Sequence, residues 1–154
     1  MGKIKKAKAN VFKIAVEKTS DIANCYQTGL QGLGKYSQKI ELSETNQCLG
    51  SVDIDLCTKA KYPESNRWDY ALCYKKEVFF VEVHGAKTDE VSKLLKKLQW
   101  LKDWLNKEAP EINKLKAQKT PFVWIQSNGC DIRGRQSFQA AQAGIKPIAK
   151  LSLK

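Results

Sequence analysis

Hydrophobic and polar positions are patterned most sharply over residues 67–86, RWDYALCYKKEVFFVEVHGA. Two runs of aromatic and β-branched residues flank the polar Lys75-Lys76-Glu77, which predicts two strands joined by a turn. Side chains alternate faces along a strand, so Glu82 and His84 share one face while Val81 and Val83 share the other. Upstream, residues 50–57 read GSVDIDLC: Val52, Ile54 and Leu56 alternate with Asp53 and Asp55, which predicts a strand with a solvated acidic face. These three consecutive strands most simply form an antiparallel meander.

The period then changes to that of a helix. Val91, Leu94, Leu95, Leu98, Leu101 and Leu105 form an apolar stripe widened by Trp100 and Trp104, and Lys93, Lys96, Lys97, Lys102 and Lys107 are assigned to the remaining surface. Thr88-Asp89-Glu90 supplies a start signal, and Pro110 ends or resets the helix. Thr120-Pro121 opens a fourth strand that ends at Asn128-Gly129, and the long crossover makes it parallel to the third. A short helix over residues 135–143 and a last strand over 147–153 follow. Before the meander, Val11 to Val16 fit either a strand or a helical turn. Ser20-Asp21 predicts a helix carrying Ile22, Cys25, Tyr26 and Leu30 and stopping near Gly32 or Gly34. Residues 35–49 give no clear pattern.

With 154 residues, 42% of them hydrophobic, the chain has material for one core, read as a single α/β domain over residues 11–154 behind a basic flexible arm over 1–10. The formal charge of +11 favours a polyanionic partner, either nucleic acid (DNA or RNA) or an anionic surface, and also serves solubility. Cys25, Cys48, Cys57, Cys73 and Cys130 form no C-x-x-C pair, and one histidine is too few for a structural zinc site. Their odd number and the absence of a signal-like start predict reduced thiols in a cytoplasmic protein. No apolar run approaches the length of a membrane span.

The candidate chemistry lies in the patterned stretch. If the strands pair about Lys75 to Glu77, the Asp69 and Glu82 carboxylates come within reach across the ladder. With the Val83 carbonyl they form a hard oxygen site suited to Mg²⁺, and His84 would orient or deprotonate a water. The order of elements, with Trp68-Asp69 followed by Glu82-Val83-His84, resembles the PD-(D/E)xK nuclease superfamily. The resemblance implies a restriction-endonuclease-like αβββαβ core, a mixed sheet flanked by helices, and Mg²⁺-dependent phosphodiester hydrolysis. Trp68 stands where the family carries proline, and His84 where it carries lysine. Lys87 or Lys75 could supply the missing charge from elsewhere, and Gln126, Asp53 and Asp55 are accessory candidates. Arg133 and Arg135 form a basic turn before a helix that suits phosphate contact, with Lys87 beside them in the nucleic-acid-binding set. The alternative is a catalytically inactive binding or assembly module on the same fold, acting through nucleic acid, a protein partner or a homodimer, with Trp100 and Trp104 as the protein-facing surface.

Overall fold

In the computed structural model, which describes residues 9–154, Asn10 caps α1 (Val11–Glu17) by accepting a hydrogen bond from the Lys13 amide at 2.9 Å. Its side-chain amide also donates to the Leu49 carbonyl at 2.9 Å. Asn10 is therefore tied to the domain, which shortens the expected arm; residues 1–8 of that arm lie outside the described residues. α1 buries Phe12, Ala15 and Val16, resolving the ambiguous first patch as helix.

The helix expected after Ser20-Asp21 does not form beyond a 3-10 turn over Ser20–Ile22. Gln27 is instead drawn into an extended bridge with Ser51, with backbone bonds of 2.9 Å in both directions. Gly32 then lies flat on Ser51: its amide donates to Ser51 Oγ at 2.8 Å, and a Cβ there would meet that same oxygen. Gly34, at φ +54°, kinks the 3-10 turns of Gln31–Lys39. β1 (Ile40–Leu42) follows.

β2 (Cys48–Asp53) is shorter than the alternating pattern suggests, because Asp53 turns the chain into α2 (Ile54–Thr58). The Asp53 carboxylate accepts from the Leu56 amide at 2.9 Å, a helix cap. The Ile54 and Asp55 amides both donate to the Asp69 carbonyl, at 2.8 and 3.2 Å. Asp53 and Asp55 are thus not the solvated face of a strand, and Leu56 is 69% exposed. β3 (Tyr70–Tyr74) and β4 (Glu77–Lys87) form the expected hairpin around Lys75 and Lys76, both at positive φ as a tight two-residue turn requires.

α3 (Val91–Lys107) is the long helix, followed by α4 (Pro110–Asn113), β5 (Phe122–Asp131), α5 (Arg135–Gln142), β6 (Pro147–Ile148) and β7 (Leu151–Leu153). The main sheet runs β2-β3-β4-β5-β6, antiparallel through β4 and parallel beyond it, as the crossover predicts. Near the C-terminus the single expected strand is two short ones; β7 leaves the main sheet and pairs with β1 in parallel.

The two faces of the sheet are covered differently. Ala71, Cys73, Val78 and Phe80 pack against Phe12 and Val16 of α1 and Leu94, Leu98 and Leu101 of α3. Leu72, Phe79, Val81 and Ile125 pack instead against Leu33, Ile40 and Leu151, so 3-10 turns and a small sheet cover that face where the flanked-sheet expectation had helices. The architecture is mixed α/β.

Two cysteines depart from the reduced-thiol expectation. Cys25 and Cys57, with Cα atoms 6.5 Å apart, are joined in a disulfide that fastens the loop before Tyr26 to α2. Cys48, Cys73 and Cys130 are free. No helix among the described residues is long and apolar enough to cross a membrane.

Candidate functional site

The register that pairs Tyr70 with Val81 carries Asp69, one residue before β3, alongside Glu82 on β4. The two are interlocked through the backbone: the Asp69 amide donates to Glu82 Oε1 at 3.2 Å, and the Val83 amide donates to Asp69 Oδ2 at 3.0 Å. The remaining two oxygens face one cation. Lys97 Nζ, reaching in from α3, donates to Glu82 Oε2 at 2.7 Å and lies 3.6 Å from Asp69 Oδ1.

Burial gives this cluster its electrostatic character. The Glu82 side chain has no exposed surface, and those of Asp69 and Lys97 are 19% and 16% exposed. Burial pushes the Glu82 carboxyl well above the usual carboxylate range and Asp69 adds to the push, while Lys97 opposes it. For Lys97, burial favours the neutral amine, but Glu82 and Asp69 outweigh it and raise its affinity for the proton. The cation is therefore an ammonium.

Lys97 is the functional candidate that pattern reading missed, because it was counted with the solvated lysines of the long helix. A signal was present. Leu94 precedes it by three residues and Leu101 follows by four, so Lys97 lies within the apolar stripe and not opposite it. A lysine in that register must either snorkel out or meet an acid.

His84 lies two residues beyond Glu82 and is half-buried. Its Nδ1 sits 2.9 Å from the Gly85 carbonyl oxygen, which can only accept. Nδ1 is therefore the donor in this contact, which leaves Nε2 as the other ring nitrogen. Among the described residues no hydrogen bond joins His84 to Asp69 or Glu82. Its register partner on β5 is Gln126, also half-buried, and its carbonyl accepts from Trp124 Nε1 at 3.2 Å.

The other expected residues scatter. Asp55 accepts from Arg67 Nε at 2.8 Å, and Arg67 also donates to the Tyr62 and Pro63 carbonyls, so this pair shapes the loop before β3. Burial pushes the Asp53 carboxyl up, partly offset by its Leu56 bond, with Asp55 and Asp69 adding repulsion. Lys75 is paired with Glu44 at 2.6 Å, away from the carboxylates. Lys87 is exposed at the end of β4, and its amide donates to Glu90. Arg133 is exposed and paired with Asp131 at 2.9 Å, while Arg135 opens α5. Trp100 and Trp104 stack on each other at 5.8 Å, and Trp104 Nε1 donates to Asp21, so this pair belongs largely to the core.

Among the described residues no group of three or more His, Cys, Asp or Glu side chains is arranged to hold a metal. The donor set that exists is two carboxylate oxygens converging on one positive charge. Both oxygens are shared by the Lys97 ammonium, and the set holds no thiolate or imidazole of the kind zinc favours. Comparison with known protein families, curated proteins and solved structures finds no match.

Proposed function

We propose that this chain is a nuclease-like domain, with a restriction-endonuclease-like core, that binds DNA or RNA and hydrolyses phosphodiester bonds. The observation that carries the proposal is the convergence of Asp69 and Glu82 on the Lys97 ammonium. The helix, three strands, crossover helix and parallel strand that surround it support the same reading. Lys97 answers the main departure from the nuclease pattern, since it brings the missing permanent cation from α3 to a site whose strand carries His84.

Asp69 and Glu82 would hold Mg²⁺, whose bound form polarises a phosphate oxygen and makes water a better nucleophile. Lys97, which already lies within 4 Å of both acids, donates to a non-bridging phosphate oxygen and offsets the negative charge that builds there. His84 Nε2 takes the proton of the attacking water. The amides of Asp69 and Val83 hold one oxygen of each carboxylate, and Lys97 would move off the other two, which would take the metal, towards the phosphate.

Incubation with end-labelled single- and double-stranded DNA and RNA in Mg²⁺ or Mn²⁺ tests the proposal. Cleavage that disappears in Asp69→Asn and on chelation is expected; no cleavage of any substrate, or equal cleavage by Asp69→Asn, overturns it.

A second reading rests on the completeness of the ion-pair cluster, in which every carboxylate oxygen already has a protein partner. Such a cluster could be purely structural, within an inactive nucleic-acid-binding module. It predicts calorimetry with no divalent-ion binding, together with nucleic-acid retention that falls steeply with added salt.

A further inference from the structure

A second feature lies on the face of the sheet away from α3 and belongs to neither the ion-pair cluster nor the core. A cleft of about 660 Å³ opens between the 3-10 turns of Gln31–Lys39 and the end of β2. Its size is that of a small-molecule site. The walls that matter are Tyr36, Tyr70, Lys35, Asp53, Gly32 and Leu56. Tyr36 and Tyr70 are half-buried, with ring centroids 6.2 Å apart and planes tilted by 55°, so each is backed by protein but still reachable. Lys35 Nζ stands 5.1 Å from the centre of the Tyr36 ring. Leu56, 69% exposed, forms an apolar lip with no covering side chain.

We propose that this cleft receives one unpaired nucleotide base, stacked on Tyr36, and that the substrate class is single-stranded or locally opened nucleic acid. The chemistry of the walls decides between base and phosphate. Asp53 is paired across the ladder with Tyr70 and puts a carboxylate into the cleft, which repels a phosphate group. The same carboxylate accepts hydrogen bonds from the N–H edge of a base, since only part of its capacity is used by Leu56. Aromatic faces and an apolar lip make a stacking platform, and the Lys35 ammonium over the Tyr36 ring supplies a cation for the attached phosphate. A base inside a duplex cannot offer its face to such a platform.

Successive side chains of a strand point to opposite faces, so Tyr70 lies on the face covered by the 3-10 turns while Asp69 and Glu82 face α3. The cleft is therefore across β3 from the ion-pair cluster, and a strand held there would reach the acids around the end of the sheet before β3. That path rests on the hydrolytic reading; the base site does not. The glycines explain how the cleft is kept open. Gly32 allows the backbone to lie against Ser51, and Gly34 at positive φ kinks the chain just before Lys35 and Tyr36.

Fluorescence anisotropy with labelled oligo-dT and a hairpin duplex of equal charge, in chelator, tests this without any cleavage. Tyr36→Ala is expected to weaken oligo-dT binding about 5- to 150-fold, the range for loss of one stacked base, and to change duplex binding less than about twofold. Tyr36→Trp, which keeps an aromatic face and checks that the fold survives, restores oligo-dT binding. Unchanged oligo-dT affinity in Tyr36→Ala, or an equal loss on both probes, overturns the proposal. If no substrate is ever cleaved while Tyr36-dependent binding holds, the hydrolytic reading fails and the base site stands. If cleavage occurs and Tyr36→Ala binds as the wild type does, the base site alone fails.

Discussion

Glu82 can be buried without any exposed surface because both its oxygens have partners, the Lys97 ammonium and the Asp69 amide, while the Asp69 carboxylate that repels it is held by the Val83 amide and shares the same ammonium. Breaking a buried pair on one side leaves an uncompensated charge, whereas removing both sides can be nearly neutral. Lys97→Met, which keeps the length of the side chain, should therefore cost about 3–5 kcal/mol. Adding Glu82→Gln to it should recover much of that loss. Urea unfolding of the two variants measures both values. Equal stability of Lys97→Met and wild type would show that Glu82 does not depend on the ammonium. His84 is the contrasting residue, since its ring is held by a carbonyl and not by an acid.

Elements were legible where one pattern dominated. The β3–β4 hairpin and α3 follow from alternation and from a continuous apolar stripe, and the parallel pairing of β4 with β5 follows from the crossover between them. Legibility failed where a polar side chain or a distant segment competed. Asp53 reads as one more alternating residue but caps a helix, with the Asp69 carbonyl taking the next two amides. Residues 22–30 have helical spacing, yet the Gln27–Ser51 bridge outweighs it. Lys97 was hidden because a lysine beside other lysines looks solvated unless its register against Leu94 and Leu101 is checked. The disulfide was invisible for a different reason: Cys25 and Cys57 are 32 residues apart, and spacing alone pairs no cysteines. Peptide mapping under non-reducing, alkylating conditions should recover a Cys25–Cys57 cross-link, with Cys48, Cys73 and Cys130 as free thiols. Closing a loop of that length stabilises by roughly 3–4 kcal/mol, so reduction should lower the unfolding midpoint visibly. A map with all five thiols alkylated would contradict the link.

At the scale of the whole molecule, the two faces of the sheet divide the work. The helical face delivers Lys97 to Glu82, while the other face is closed by Leu33, Ile40 and Leu151, with β1 and β7 bringing distant parts of the chain together. Ser152 and Lys150 both reach Glu41 across that small sheet, at 3.1 and 3.4 Å. The carboxylates and the tyrosine-lined cleft thus lie on opposite faces of the sheet near the start of β3, on a chain of net charge +11 that attracts polyanions. In the proposed mechanism the cation of this site comes from α3 and not from the strand position held by His84. Single-turnover cleavage of a labelled oligonucleotide in Mg²⁺ tests it most directly, comparing Lys97→Gln, whose amide still reaches Glu82, with His84→Gln, each verified as folded by circular dichroism. A loss of about 100-fold or more is expected for Lys97→Gln, the scale of removing a donor at a developing oxyanion, and a smaller loss for His84→Gln. Wild-type rates in Lys97→Gln, with cleavage abolished in His84→Gln, would contradict it.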